Sequence, residues 1–330
     1  MSRSYVILGG NGPFGVHTAA YLLEHADAKK VVCVGRNPEK PGPFTLDVGK
    51  GDARYEYHQI HLVYEQDRLF ELFDRLKPEV IINFAALAHG ASWTKSWRFY
   101  DTNVTSLAKM VEGLTTRDYL ERWIQVGSSE LYGAVTVPAT EEHPLDATSP
   151  YSISKLAGDL HLISMFKVKQ FPMNIIRPSN AYGPGQQLYR VLPRAVVCGL
   201  SGQRLPLEGG GGAKKSYIHA EDLARALHLM AEKAPLGRIY NAGPKDPISI
   251  RDIVEAVAHE LKMPFEQLVE IKPGRPGEDA QYWLDSTRIK TELGWEPTVS
   301  LEAGVRDMVA WGRKYLPELV GASAEYVLRA

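Results

Sequence analysis

Tyr5-Val6-Ile7-Leu8-Gly9-Gly10-Asn11-Gly12-Pro13-Phe14-Gly15 is the stretch that decides the fold. Four apolar residues make a short strand, the glycines make a tight turn, and helical apolar spacing begins at about Val16 and runs over 16–23. A strand that ends in a glycine turn and opens a helix aims backbone N–H groups at a pyrophosphate, and the helix dipole adds to the attraction. The glycine spacing is Gly-x-x-Gly-x-x-Gly rather than Gly-x-Gly-x-x-Gly, and a plain tight turn can carry it too. Its position after the first strand favours the dinucleotide reading, with Gly9, Gly12, Pro13, Phe14 and Gly15 as the cofactor cradle.

Working outward, the second strand, Val31-Val32-Cys33-Val34, runs into Gly35-Arg36-Asn37. An NAD-preferring site would place an acid there for the ribose hydroxyl; a cation instead can pair with a 2′-phosphate. Arg36 therefore favours NADP, with NAD the alternative if the arginine is merely solvated at a strand end. Strand candidates over 55–62 and 80–84 follow, with an amphipathic helix over 67–76 between them. This alternation predicts an α/β fold, a doubly wound parallel sheet of the Rossmann kind. Ala85 and Ala86, after the fourth strand, are small enough to let a cofactor lie against the backbone. His89 lacks partners at metal spacing, which leaves a structural or substrate-pocket role, and no metal site is expected anywhere.

After a helix containing Thr102-Asn103-Val104 comes the strand Trp123-Ile124-Gln125-Val126, ending in Gly127-Ser128-Ser129-Glu130-Leu131-Tyr132-Gly133. Residues at the carboxyl end of a central strand face the ligand crevice, so Ser128 and Glu130 are site candidates. Ser149-Pro150-Tyr151-Ser152-Ile153-Ser154-Lys155 then sets Tyr151 and Lys155 four residues apart on one helix face. A neighbouring ammonium favours the phenolate, making the tyrosine a general base. By itself the pair also fits an ordinary surface helix.

Composition excludes other classes. A formal charge of -1 over 330 residues gives no global reason for a nucleic-acid or anionic-membrane partner. Cys33 and Cys198, the only cysteines, sit among apolar or small residues and read as buried hydrophobes rather than a disulfide. No apolar run approaches the roughly 20 residues of a membrane span, and no leader precedes the first strand, so a cytoplasmic location is expected.

Further blocks follow in order: Arg177-Pro178-Ser179-Asn180-Ala181-Tyr182-Gly183-Pro184-Gly185-Gln186, then Tyr217-Ile218-His219-Ala220-Glu221-Asp222, Arg275-Pro276-Gly277-Glu278-Asp279 and Glu292-Leu293-Gly294-Trp295-Glu296-Pro297. With the glycine turn, Ser128 and the Tyr151/Lys155 pair, the chain resembles the extended short-chain dehydrogenase/reductase superfamily, in its nucleotide-sugar epimerase and dehydratase branch. The resemblance implies a nucleotide-diphosphate sugar as substrate. Tyr151 would take the sugar hydroxyl proton while hydride leaves the same carbon, Lys155 would hold the cofactor ribose, and Ser128 would bond the same sugar oxygen. Asn180 and Arg275 would bind the diphosphate, and His89 and Ser129 would lie against the substrate.

Ser128-Ser129-Glu130 is most similar to the Thr-Ser-Glu block of GDP-mannose 4,6-dehydratases, whereas dTDP-glucose 4,6-dehydratases carry Thr-Asp-Glu. The resemblance thus implies a 4,6-dehydratase: oxidation at C4, loss of water across C5–C6 with Glu130 as the C5 base, and return of hydride to C6. A 4-epimerase or a 4-keto-sugar reductase would share Tyr151, Lys155 and Ser128, and a non-catalytic cofactor-binding protein could use the same fold. The plainer role for Glu130 is a carboxylate bonding backbone after the strand. Three departures stand out: Ser129 replaces an acid, the Arg177 and Arg275 blocks lean towards dTDP-sugar and epimerase relatives, and His61-Leu62 stands where an adenine-contacting acid is expected. The family also pairs long helices between subunits, which implies a homodimer or higher homo-oligomer.

In the second half, helices are expected over 188–200 and 221–232, a strand near Tyr240 and a helix capped by Ser249. Gly209-Gly210-Gly211-Gly212-Ala213-Lys214-Lys215-Ser216 lacks the glycine that a P-loop places directly before its lysine, so it reads as a flexible loop. Lys215 lies either near a ligand phosphate or in a solvated turn. The expected division is a dinucleotide-binding domain over 1–176, with returning segments at about 217–243, and a smaller, mainly nucleotide-sugar-binding lobe over 177–330.

Overall fold

The computed structural model describes residues 2–87, 93–273 and 282–325. His89 and Arg275 lie outside these residues. The first half alternates as expected: β1 (Arg3–Leu8), α1 (Pro13–His25), β2 (Ala28–Gly35), β3 (Tyr55–Gln59), α2 (Gln66–Leu76) and β4 (Val80–Asn83). A helix over 97–114 (α3) follows, π-wound at Asp101–Thr105, then β5 (Arg122–Val126), α4 (Pro150–Lys169) and β6 (Met173–Pro178). Beyond these come α5 (Val191–Ser201), α6 (Ala220–Lys233), β7 (Ile239–Ala242), α7 (Ile250–Leu261) and α8 (Leu301–Lys314).

Seven strands form one parallel sheet in the order β7-β6-β5-β4-β1-β2-β3. Both β2 and β4 flank β1, so the winding reverses there, and a crevice opens outside the carboxyl ends of these strands. Alternate residues of a strand point to opposite faces, and β1 shows it. Tyr5 and Ile7 join a core with Ala19 and Leu22 of α1 and Leu223 and Leu227 of α6. Val6 and Leu8 join the opposite core, with Leu69 and Phe73 of α2, Met110 of α3 and Leu162 of α4. A third cluster, built from α5, α7 and α8, sits in the second half of the chain.

Asp222 ties two of the distant sequence blocks together. Its carboxylate accepts from the Thr298 and Val299 N–H groups at 2.9–3.1 Å, while the Trp295 indole donates to its backbone carbonyl at 2.9 Å. Trp295 is thereby fixed in the core beneath α6.

The structure corrects several boundaries. The third strand stops at Gln59 rather than 62, because its partner β2 ends at Gly35, whose carbonyl takes the Ile60 N–H as the chain turns away. The first helix begins at Pro13, three residues early, since proline is suited to a first helical position with no N–H to satisfy. The glycine run at 209–216 is not a flexible loop: Gly209–Gly211 is a 3-10 turn, and Lys214–Lys215 pairs antiparallel with Ile248–Ser249. Ser249 caps α7 in a reciprocal capping box with Asp252, as expected of the cap.

The glycine turn also sets how closely α1 meets the sheet. A methyl group on Gly10 would lie 2.6 Å from the Cys33 Cβ and 2.9 Å from its Cα. Gly10→Ala is therefore expected to destabilise the protein by about 1–3 kcal/mol through overpacking. Urea unfolding checks this, and an unchanged midpoint would remove the close-approach argument.

Candidate active site

The cradle forms where β1 meets the start of α1. Gly9 has φ +77°, and a Cβ there would sit 2.9 Å from the Ala85 nitrogen; at Gly15 one would meet the Gly9 carbonyl oxygen at 2.7 Å. Glycine alone fits both places. Gly12 caps α1 without a side chain, so nothing of its own covers the helix N–H groups. The resulting cleft, about 340 Å³, is lined by the cradle, by Arg36 and Lys40 beyond β2, by Ala85 and Ala86 beyond β4, and by Tyr189 and Arg190 from the second half. Its dimensions and its row of side-chain-free backbone suit a dinucleotide.

The second part of the site lies at the end of β5. Ser128 is extended, and its hydroxyl accepts the Glu130 N–H at 3.2 Å, which starts the 3-10 turn Ser129–Tyr132. Ser129 points into the protein and is buried. Helix α4 begins beside this turn with a Ser149/Ser152 capping box and Pro150 in its first turn. It presents Tyr151 to Ser128, whose hydroxyl hydrogen-bonds the phenol, and to the charge of Glu130. The sequence-derived quartet Ser128, Glu130, Tyr151 and Lys155 is therefore brought together.

The electrostatics differ from the expectation for Tyr151. Burial, then the Glu130 carboxylate, pushes the phenol well above its ordinary range, with the Ser128 hydrogen bond and Arg190 opposing. The Lys155 ammonium donates to the Val126 carbonyl at 2.6 Å. Burial lowers the Lys155 pKa to about 8, with Asp159 acting the other way. In this geometry the lysine is held by the end of β5.

Asn180 sits in the short strand Asn180–Tyr182 and hydrogen-bonds the Tyr217 phenol. Lys215 carries its ammonium 5.4 Å from the centre of the Tyr282 ring, and the charge of Glu130 also reaches Tyr282. Lys215 is thus partnered by the Tyr282 ring and by the pairing of its strand with Ile248–Ser249.

With this geometry in hand, the profile of a family described as GDP-mannose 4,6 dehydratase matches residues 6–308. The chain belongs to that family. Within it, the dTDP-glucose 4,6-dehydratase of Streptomyces griseus is 32% identical over 319 residues, spanning 96% of this chain and 95% of that protein. A double mutant of the Streptomyces venezuelae dTDP-glucose 4,6-dehydratase, with NAD bound, has the same fold with a TM-score of 0.87 at 26% identity, over 96% of this chain and 99% of the other. The trifunctional UDP-glucose 4,6-dehydratase, epimerase and reductase of Arabidopsis thaliana is 26% identical over 324 residues, 94% of this chain. The chain spans about half of that relative's length, 47%. The dehydratase and epimerase branch expected from the motifs is thereby the right one.

Some site residues of this family member escaped the sequence reading. Asn11, inside the glycine turn, donates to the Pro38 carbonyl at 2.9 Å and fixes the loop that carries Lys40. Asn103, on the π-wound turn of α3, bonds both backbone groups of Leu87 at 2.9 and 3.2 Å and donates to Ser154 at 2.9 Å. It ties the chain after Ala86 to the helix of Tyr151. Arg190 lines the cofactor cleft, and its charge reaches Tyr151. No local pattern singles out Asn103, because its helix carries charged and polar residues throughout, among them Arg98, Asp101, Lys109 and Glu112.

Among the described residues no group of three or more metal-ligating side chains forms, and no helix is long and apolar enough to cross a membrane.

The Lys155 shift has a measurable sign. Its folded pKa, about 8, lies below the ordinary 10.5, so between these values the unfolded chain holds a proton that the folded one has shed. Stability should rise with pH across that window relative to Lys155→Met, which lacks the group. Thermal melts of the two proteins that run parallel from pH 8 to 10.5 would contradict the burial of this charge.

Proposed function

We propose that the protein is a nucleotide-diphosphate-sugar 4,6-dehydratase, and the carrying observation is that Glu130 and Tyr151 converge on one strand end beside the dinucleotide cradle. NAD(P), when bound, supplies the hydride acceptor and returns the hydride. Tyr151 takes the proton of the sugar C4 hydroxyl, and Ser128 bonds the same oxygen. The C4 ketone makes the C5 proton acidic, and Glu130 removes it. Loss of the C6 hydroxyl as water then needs a proton, and because Ser129 cannot give one, the carboxyl group formed on Glu130 returns it; after hydride addition at C6, C5 takes up a proton from solvent, balancing the one that Tyr151 releases. Asn180 and Lys215 hold the diphosphate in this reading, with Arg275 as its expected charge partner.

For the cofactor, Arg36 and Lys40 on the cleft wall beyond β2, with Asn37 where an acid would favour NAD, support a preference for NADP. For assembly, Trp97 and Tyr100 on α3 and Ile153 and Leu160 on α4 are exposed apolar residues on neighbouring helices, which suits pairing of two subunits.

Four measurements follow. Incubation with dTDP-glucose, UDP-glucose and GDP-mannose should yield, from at least one, the alkali-induced absorbance of a 4-keto-6-deoxy product; a product of unchanged mass would mean epimerisation, and stoichiometric NADPH consumption a reductase. Glu130→Gln should abolish dehydration yet leave slow reduction of bound cofactor, whereas Tyr151→Phe loses both; equal loss in the two variants counts against Glu130 as the C5 base. Arg36→Ala should weaken NADP by about tenfold, the worth of a charge-assisted hydrogen bond, with NAD little changed. Light scattering should give twice the 36.7 kDa chain mass, falling to one in Leu160→Glu.

A further inference from the structure

Behind the site, away from either face of the cleft, lies a polar chain that the reaction as described does not use. Asp159, one helical turn after Lys155, is 1% exposed and accepts from the Arg177 Nε at 3.1 Å. Arg177, itself 2% exposed, donates through Nη1 to the Tyr132 hydroxyl at 2.9 Å. Tyr132 donates in turn to the Asn241 Oδ1 at 2.8 Å. The four residues come from α4, the end of β6, the Ser129–Tyr132 turn and β7.

Gly127 makes room for this chain: a Cβ there would lie 3.1 Å from the Arg177 Cγ and 3.4 Å from an Asp159 carboxylate oxygen. The ion pair therefore runs directly beneath the residue that precedes Ser128. The Asp159 Oδ1 has no hydrogen-bond partner among the described residues. A buried carboxylate with half its acceptor capacity unused is costly, and a fully buried arginine needs its counter-charge.

We propose that Asp159 is a positioning residue, which keeps the Lys155 ammonium charged and, through Arg177 and Tyr132, fixes the turn of Glu130 against the helix of Tyr151. The charged and titratable groups around this pair are Tyr151 and Asp159 on α4, Glu130 and Tyr132 on the turn, Arg177 from β6 and Arg190 at the start of α5. Among them, Asp159 is the one whose charge opposes the burial that strips the proton from Lys155. The second half of the proposal rests on the dehydratase reading; the first does not.

The test is a titration of protein labelled with 13C at the lysine ε-carbons, the Lys155 signal being assigned by its loss in Lys155→Met. In Asp159→Asn the Lys155 midpoint should fall by about one pH unit or more, because an anion is lost and Arg177 is left uncompensated. An unmoved midpoint in the folded variant overturns the proposal, since a merely structural role would lower the melting temperature without shifting it. Tyr132→Phe, which keeps the ion pair, guards against misfolding of the first variant. It should leave the Lys155 midpoint in place and slow dehydration at least tenfold more than cofactor reduction; equal slowing overturns the link to Glu130. If the wild-type enzyme dehydrates no nucleotide sugar, the dehydratase reading falls with that link, and the lysine titration still decides the rest.

Discussion

An ammonium group taken out of water is the constraint around which this site is arranged. Lys155 lies on a helix whose surroundings give it one carbonyl acceptor and one nearby anion, and burial already draws its pKa down to about 8. A lone charge in that position would shed its proton. The end of β5, which supplies the Val126 carbonyl, and the Asp159–Arg177 pair beneath Gly127 are therefore conditions for the lysine to work as a cation. The same strand end then continues into Ser128 and the turn of Glu130, so the segment that holds the charge also places the hydroxyl and the carboxylate.

The cofactor side depends on backbone approach. The reversal of winding at β1 opens the crevice, but a pyrophosphate reaches the start of α1 only because no side chain fills the space at Gly9, Gly12 and Gly15. Asn103 links the two sides, since its amide grips the backbone at Leu87, next to the cofactor wall, while bonding Ser154 next to Tyr151. Its unusual reach follows from the π-wound turn at Asp101–Thr105, a distortion that such helices carry at functional sites.

What the sequence made legible was local. A glycine turn after a strand, a tyrosine and lysine one helical turn apart, and polar residues after a central strand can each be read within seven residues, and the winding of the sheet followed from the alternation of periods. What it hid was non-local. Asp159 and Arg177 are separated by 18 residues and Tyr132 from Asn241 by 109, and no pattern of polarity announces that such residues will be buried together. The pressure on Tyr151 was hidden for the same reason: spacing gave the lysine, whereas burial and the Glu130 charge come from the packing around the phenol.

That shift bears on how two bases can work in one pocket. An ionised Glu130 raises the cost of ionising Tyr151, so the two groups resist being anionic together. In the proposed reaction both are anionic only until C4 is oxidised. Oxidation at C4 leaves Tyr151 protonated and neutral, which removes the opposition just when Glu130 must stay ionised to take the C5 proton. Once Glu130 has that proton it no longer opposes the phenolate, and the C6 hydroxyl takes the proton away as water. The repulsion between the two groups thus orders their proton transfers, and a single carboxylate can serve as base and then acid because Ser129 leaves it no competitor at the turn.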